Sequence, residues 1–164
     1  GASSWFIRKK QLSTSKAPKI PVIRDNLIKS EKYFKTKFDY IVDLDISAPL
    51  RNHADIKNAF KKFIRNKYDN LFSVYKSKKS PYFNMIEVIK NKIYLSKKKK
   101  MVNSRQQSPN IYSLNASIYI WKRDALLNQK SLIGKNTGIF EMPEERSIDI
   151  DSKFDLKIVK FLMK

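Results

Sequence analysis

The chain has 164 residues, 41% hydrophobic and 12% aromatic, enough to bury one core and too apolar for general disorder. Its 35 Lys and Arg against 15 Asp and Glu make it strongly basic, +20 in formal charge, and the absence of cysteine excludes disulfides, thiolate metal sites and cysteine nucleophiles. No apolar run approaches the ~18 residues of a membrane span and no signal-peptide pattern opens the chain, so no membrane partner is expected.

In chain order, residues 20–35 carry apolar side chains at 20, 23, 27 and 34 with charge between them, an amphipathic helix following Pro18 and Pro21. Residues 40–46 are a near-continuous apolar run ending before Pro49, the pattern of a strand buried on both faces. Ile56, Ala59, Phe60, Phe63 and Ile64 form one helical face, and Leu71 to Tyr75 a second short buried strand. Strand, helix, strand within about forty residues predicts a βαβ unit in a parallel α/β sheet. Phe83 to Ile89 and Lys92 to Leu95 read as a hairpin, Ser104 to Leu114 as loop, and 116–121 as a strand of the parallel core. A short helix from Arg123 to Gln129 and a loop from Gly134 to Gly138 follow. Residues 147–151 alternate polar and apolar as a strand would. A last helix opens on a capping box, Ser152-x-x-Asp155, with Phe154, Ile158, Phe161 and Leu162 expected to face inward. No repeat and no linker divides the chain, so residues 1–164 read as one domain.

The charge is uneven. Residues 1–100 carry 25 basic and 8 acidic side chains, net +17, and 101–164 carry 10 and 7, net +3. Lysines outnumber arginines 28 to 7, whereas base-edge and phosphate readout favours the forked guanidinium. A solvated lysine-rich surface with loose, salt-sensitive polyanion binding is therefore expected, and no specific nucleic-acid partner.

Chemistry has few places to sit. The single histidine, His53, excludes a His-rich metal cluster and falls where a helix begins. Asp149 and Asp151, two apart on a predicted strand, put two carboxylates on one face roughly 7 Å apart. A divalent cation would hold such a pair, and oxygen-only ligands favour magnesium or manganese; a solvent-facing polar edge is the alternative. Asp43 and Asp45 repeat the spacing at a strand's carboxyl end, where ligands of open α/β sheets bind, with Ser47 and Arg51 just beyond. Arg105, Gln106 and Gln107 offer a forked cation and two amides to a phosphate or carboxylate.

These segments together resemble the acylneuraminate cytidylyltransferases. Asp43-Leu44-Asp45-Ile46-Ser47-Ala48-Pro49-Leu50-Arg51 is similar to the family's L-Q-P-T-S-P-L-R segment, and Leu71-Phe72-Ser73-Val74 to its next strand. Arg105-Gln106-Gln107-x-Pro109 followed by Asn115-Ala116-Ser117-Ile118-Tyr119-Ile120 resembles R-Q-x-x-P … N-G-A-I-Y-I. Ser147-Ile148-Asp149-Ile150-Asp151 resembles S-I-D-I-D, with Asp155-Leu156 behind it.

The resemblance implies a three-layer α/β nucleotide-diphospho-sugar transferase fold with a β-hairpin segment, about 80–110, protruding to form a homodimer. It implies a cytoplasmic enzyme joining CTP to an acidic nine-carbon (nonulosonic) sugar, giving a CMP-sugar and pyrophosphate. Carried over by position, Asp149 and Asp151 would hold Mg2+ and Arg105 would meet phosphate oxygens. Arg8, Asp45, Ser47, Arg51, Gln106, Asn115 and Tyr119 would line the substrate pocket. Four departures stand out. No glycine-rich phosphate loop can be built from Gly1, Gly134 and Gly138, so the chain reads as N-terminally truncated and impaired in CTP binding and turnover. Asp45 stands where sialic-acid users commonly have Gln, and Ala116-Ser117 replaces Gly-Ala. Leu132 and Ile133 stand near the family's sugar-contacting aromatic pair, which points to a different nonulosonate. A catalytically dead remnant or binding protein of the same fold is the alternative.

Overall fold

The computed structural model describes residues 3–97 and 108–164. A four-stranded sheet is built from β1 (Tyr40–Leu44), β2 (Asn70–Lys76), β5 (Tyr112–Lys122) and β6 (Thr137–Glu141), in the order β1-β5-β2-β6. Helices α1 (Lys19–Phe34), α2 (His53–Arg65), α3 (Arg123–Asn128) and α4 (Lys153–Leu162) surround it, and a separate hairpin joins β3 (Ile86–Ile89) to β4 (Lys92–Leu95).

The period of two along the central strands makes the three layers. Phe72 and Val74 of β2 and Tyr119 and Trp121 of β5 point to one face, where they pack with Ile23 and Leu27 of α1 and Leu126 of α3. Leu71, Ile118 and Ile120 point to the other, against Ala59 and Phe63 of α2 and Met142. Arg123 forks onto Glu31, Nε to Oε1 at 2.7 Å and Nη2 to Oε2 at 3.0 Å, tying α3 to α1. Helix α2 starts on a reciprocal capping box, Asn52 with Asp55, and His53 is its first residue.

The sheet is mixed, which corrects the expected parallel core. β1 and β2 run the same way, as the βαβ reading required, but β5 lies between them antiparallel to both. The chain leaves the end of β2 through the hairpin excursion and re-enters from that same end, so the returning strand must run backwards. β6 pairs in parallel with β2 over residues that read as the end of a loop. Gly138 misled because it sits inside this strand: a Cβ there would run into the Tyr68 ring, so the glycine serves close packing rather than a turn.

Residues 147–151 form no strand, a second correction. Ser147 N donates to Glu144 O, closing a 3-10 turn, and Asp151 N donates to Asp149 O at 3.2 Å, a local bond that an extended run cannot make. Helix α4 keeps its Ser152–Asp155 capping box, but the buried residue is Val159; Phe154 and Phe161 are 69% and 76% exposed and Leu162 is exposed too. The inward face is instead that of Asp155, Ile158 and Val159, spaced i, i+3 and i+4. The hairpin lies where expected. Lys90 and Asn91 both have positive φ, 48° and 60°, the twist that a two-residue hairpin turn requires.

Candidate functional site

The carboxyl end of β1 gathers the first group of candidates. Lys19, the first residue of α1, reaches across to Asp43 Oδ2 at 3.1 Å and Asp45 Oδ2 at 2.9 Å. Its ammonium also lies 4.1 Å from the centre of the Tyr119 ring. The β1–β5 register sets this meeting by placing Asp43 opposite Tyr119. Burial alone would lower the Lys19 ammonium, but the Asp43 charge and the bonds to both carboxylates outweigh it and hold it above its ordinary value. For Asp45, burial would raise the carboxyl and the bonds from Lys19 and Ser47 more than reverse that, so it stays ionised. Burial raises the Tyr119 phenol, opposed by Lys19 and reinforced by the charges of Asp45, Asp43 and Asp149, so it stays protonated. These groups border two clefts. One of about 420 Å3 is lined by Arg8, Lys19, Asn26, Asp43 and Asp45 among others, and a more apolar one of about 410 Å3 by Lys19, Tyr119, Trp121 and Leu132.

Just past β1 the chain turns, and Arg51 holds the turn: Nη1 donates to the carbonyls of Asp45, Ala48 (2.9 Å) and Ser117 (3.4 Å). Arg51 therefore shapes the pocket rim through backbone carbonyls. Ser47 donates its hydroxyl to Asp45 Oδ1 at 3.2 Å, and its carbonyl accepts from Ile150 N at 2.8 Å. That bond brings the 147–151 segment against the strand end.

Asp149 and Asp151, though not on a strand, line one cleft of about 360 Å3 with Tyr75, Asn115, Glu144 and Asp155. The other acids there are occupied. Asp155 accepts from Ser152 N and Oγ at 2.8 and 2.7 Å, and Glu144 pairs with Lys78 at 2.6 Å. Asp149 Oδ1 is buried and meets no hydrogen-bond donor. An orphaned carboxylate oxygen beside a second free carboxylate is a donor set that suits Mg2+, which takes one or two protein carboxylates and completes its shell with water and phosphate oxygens. Among the described residues no group of three or more potential ligands forms a self-contained metal cage.

Asn115 lies deeper than a sugar ligand would. It is 2% exposed, its Oδ1 accepts from Ser73 Oγ at 2.6 Å, and its Nδ2 donates to Ser147 Oγ at 2.9 Å. It carries the wall of the Asp149 cleft. Here β5 bulges: the β2 pairing jumps from Phe72↔Tyr119 to Val74↔Leu114, Ala116 takes φ +50°, and Ile118 N donates to the Ser73 hydroxyl at 2.8 Å. Arg105 and Gln106 lie outside the described residues. Sequence reasoning missed Lys19, whose signal is a cation at the start of a helix, against the dipole. It also missed Arg146, which donates to both Asp55 carboxylate oxygens at 2.9 Å and carries no local signal.

No family model matches the chain. It is 49% identical over 164 residues to the "Post-translational flagellin modification protein B" of Campylobacter coli, covering 100% of this chain and 69% of that protein. It is 47% identical over 163 residues to the "CMP-N,N'-diacetyllegionaminic acid synthase" of Campylobacter jejuni, covering 99% and 69%. Identity to the "Pseudaminic acid cytidylyltransferase" of Campylobacter jejuni is 27% over 168 residues, covering 100% and 70%.

Proposed function

Because this chain belongs to the acylneuraminate (nonulosonic acid) cytidylyltransferase family, we propose that it takes part in joining CTP to a nonulosonic acid of the legionaminic type. The observation that carries the reading is the 47% identity, over 99% of the chain, to a CMP-N,N'-diacetyllegionaminic acid synthase. Asp45, where sialic-acid users commonly have Gln, and Leu132 and Ile133, near the family's sugar-contacting aromatic pair, fit a nonulosonate other than sialic acid.

In the proposed reaction the sugar's anomeric hydroxyl attacks the α-phosphate of CTP; the new bond is O–P, the bond to pyrophosphate breaks, and the hydroxyl proton leaves to solvent or base. Asp149 and Asp151 would hold Mg2+, which when bound offsets negative charge on the triphosphate. Arg105 supplies a forked donor to phosphate oxygens. Asp45 and Arg8, which border one of the two clefts, and Tyr119, which borders the other, would meet the sugar, with Ser47 holding the Asp45 carboxylate. The work is positioning and electrostatics, to which dispersed polar residues at strand ends are suited. CTP is a cytoplasmic substrate, and the cytoplasm goes with this reading; no helix among the described residues is long and apolar enough to cross a membrane.

The 164 residues contain three glycines and no glycine-rich run to present backbone N–H groups to the phosphates, so turnover by this chain alone is slow in our reading. A homodimer belongs to it as well. Ile86 pairs with Leu95 and Val88 with Ile93 on one hairpin face, and these four side chains are 42–69% exposed. A lone two-stranded hairpin is marginal in water, and a second copy's surface would cover that face.

The test is pyrophosphate release with CTP, Mg2+ and a panel of nonulosonic acids. Release that requires all three components, fastest with a legionaminic acid, supports the reading. No release, together with no binding of CTP or of any acid in the panel, overturns it in favour of a dead remnant.

A further inference from the structure

Lys19 opens α1 with Pro18 as N-cap, no side-chain cap and no acidic residue in the first turn. A cation there opposes the helix dipole, so helix formation gives no reason for it. The reason lies across the cleft. Among the described residues Lys19 is the one cation in ion-pair contact with the Asp43 or Asp45 carboxylate. Arg51, just past the strand end, directs Nη1 to backbone carbonyls instead. Lys19 also lines both clefts that meet at this strand end.

The charge at that point is decisive for an anionic ligand. Asp43 and Asp45 together carry two negative charges, and Lys19 reduces the local sum to one. A sugar acid brings a further carboxylate, and without Lys19 it would approach two aspartates that no cation pairs with directly, Arg8 being the one cation left in the described lining of that cleft, in a partly buried setting where repulsion is poorly screened. We infer that Lys19 is a specificity-determining positioning residue: it sets the charge at which this cleft admits an acidic sugar and fixes Asp45 to face it. The inference rests on the reading that the chain binds a nonulosonic acid.

Calorimetry with N,N'-diacetyllegionaminic acid and its uncharged methyl ester tests it. Lys19→Met should weaken binding of the acid about tenfold and of the ester little, and the loss should shrink as salt rises. Lys19→Arg should retain binding. Lys19→Met/Asp43→Asn, which restores the local charge of minus one and leaves Asp45 in place, should recover much of the acid's affinity. Asp43→Asn, which brings the sum to zero, should tighten the acid several-fold and leave the ester unchanged. Equal losses for acid and ester, indifferent to salt, would reduce Lys19 to a structural brace and overturn the inference. Failure of Asp43→Asn to discriminate acid from ester would do the same even if Lys19→Met does not fold. If the folded wild-type chain binds neither acid nor ester, the sugar-binding reading itself fails, and the role of Lys19 with it.

Discussion

Arg146 and Asp55 meet through two parallel hydrogen bonds, Nε to Oδ2 and Nη2 to Oδ1, both 2.9 Å. Asp55 is buried at the first turn of α2, and Arg146 lies just before Ser147. The pair pins the segment carrying Asp149 to a helix that packs on the sheet's other face. Truncating the arginine leaves a buried carboxylate without its partner, so Arg146→Ala should cost about 2–3 kcal/mol. Urea unfolding at neutral pH measures this.

The same pair makes a pH prediction. Burial would raise the Asp55 carboxyl, but the bonds from Arg146 and from Asn52 N more than offset it and hold it below the ordinary value. A lowered folded-state value contributes stability above the unfolded value of about 3.9 and loses it as pH falls through the folded one. Wild type should therefore lose stability on acidification below about pH 4. Without Arg146, burial dominates and protonation of Asp55 favours the fold. The difference between wild type and Arg146→Ala should narrow between pH 7 and pH 3; a constant difference would contradict the assignment.

Ala116 sits in the left-handed region at the β5 bulge, where the resembling family has glycine. A Cβ there costs about 1–2 kcal/mol. Ala116→Gly should be stabilising despite the added freedom of the unfolded chain, raising Tm by about 2–4 °C for a chain of this size. A lowered Tm in calorimetric scans would show that the bulge does not constrain this residue.

Asp149 carries a buried oxygen that meets no donor, an unmet polar group that weighs on the fold when no cation is bound. Asp149→Asn should raise stability in chelator by about 1 kcal/mol. It should also abolish any gain in stability or CTP affinity from Mg2+. Loss of stability, or an unchanged response to Mg2+, would count against the metal-binding assignment. Asp151→Asn, at an exposed position, should blunt the Mg2+ response with little effect in chelator.

The hairpin face supplies the last prediction. Val88 and Ile93 are direct cross-strand partners, 66% and 69% exposed. Val88→Glu with Ile93→Lys keeps the hairpin through a cross-strand ion pair while making the face polar. Light scattering should give a dimer for the wild type and a monomer for the double variant. A monomeric wild type at micromolar concentration would remove the dimer.

What the sequence determined by itself is everything governed by neighbours along the chain. The apolar period of α2, the Ser152–Asp155 box and the two-residue gap between β3 and β4 are local, and each element formed where its residues said it would. The strand-end position of Asp45 and Ser47 was legible for the same reason. Only the tertiary structure decided the direction of β5, because antiparallel and parallel strands buried on both faces carry the same apolar run. It decided β6 as well: Gly138 signals a turn until the Tyr68 ring is seen against it. The path of residues 147–151 turns on Ile150 N meeting Ser47 O, two groups a hundred residues apart. Lys19 and Arg146 acquire their roles from carboxylates 24 and 91 positions away. A side chain's partner across the fold leaves no period in the sequence; it follows from which strands pair and which ends they bring together.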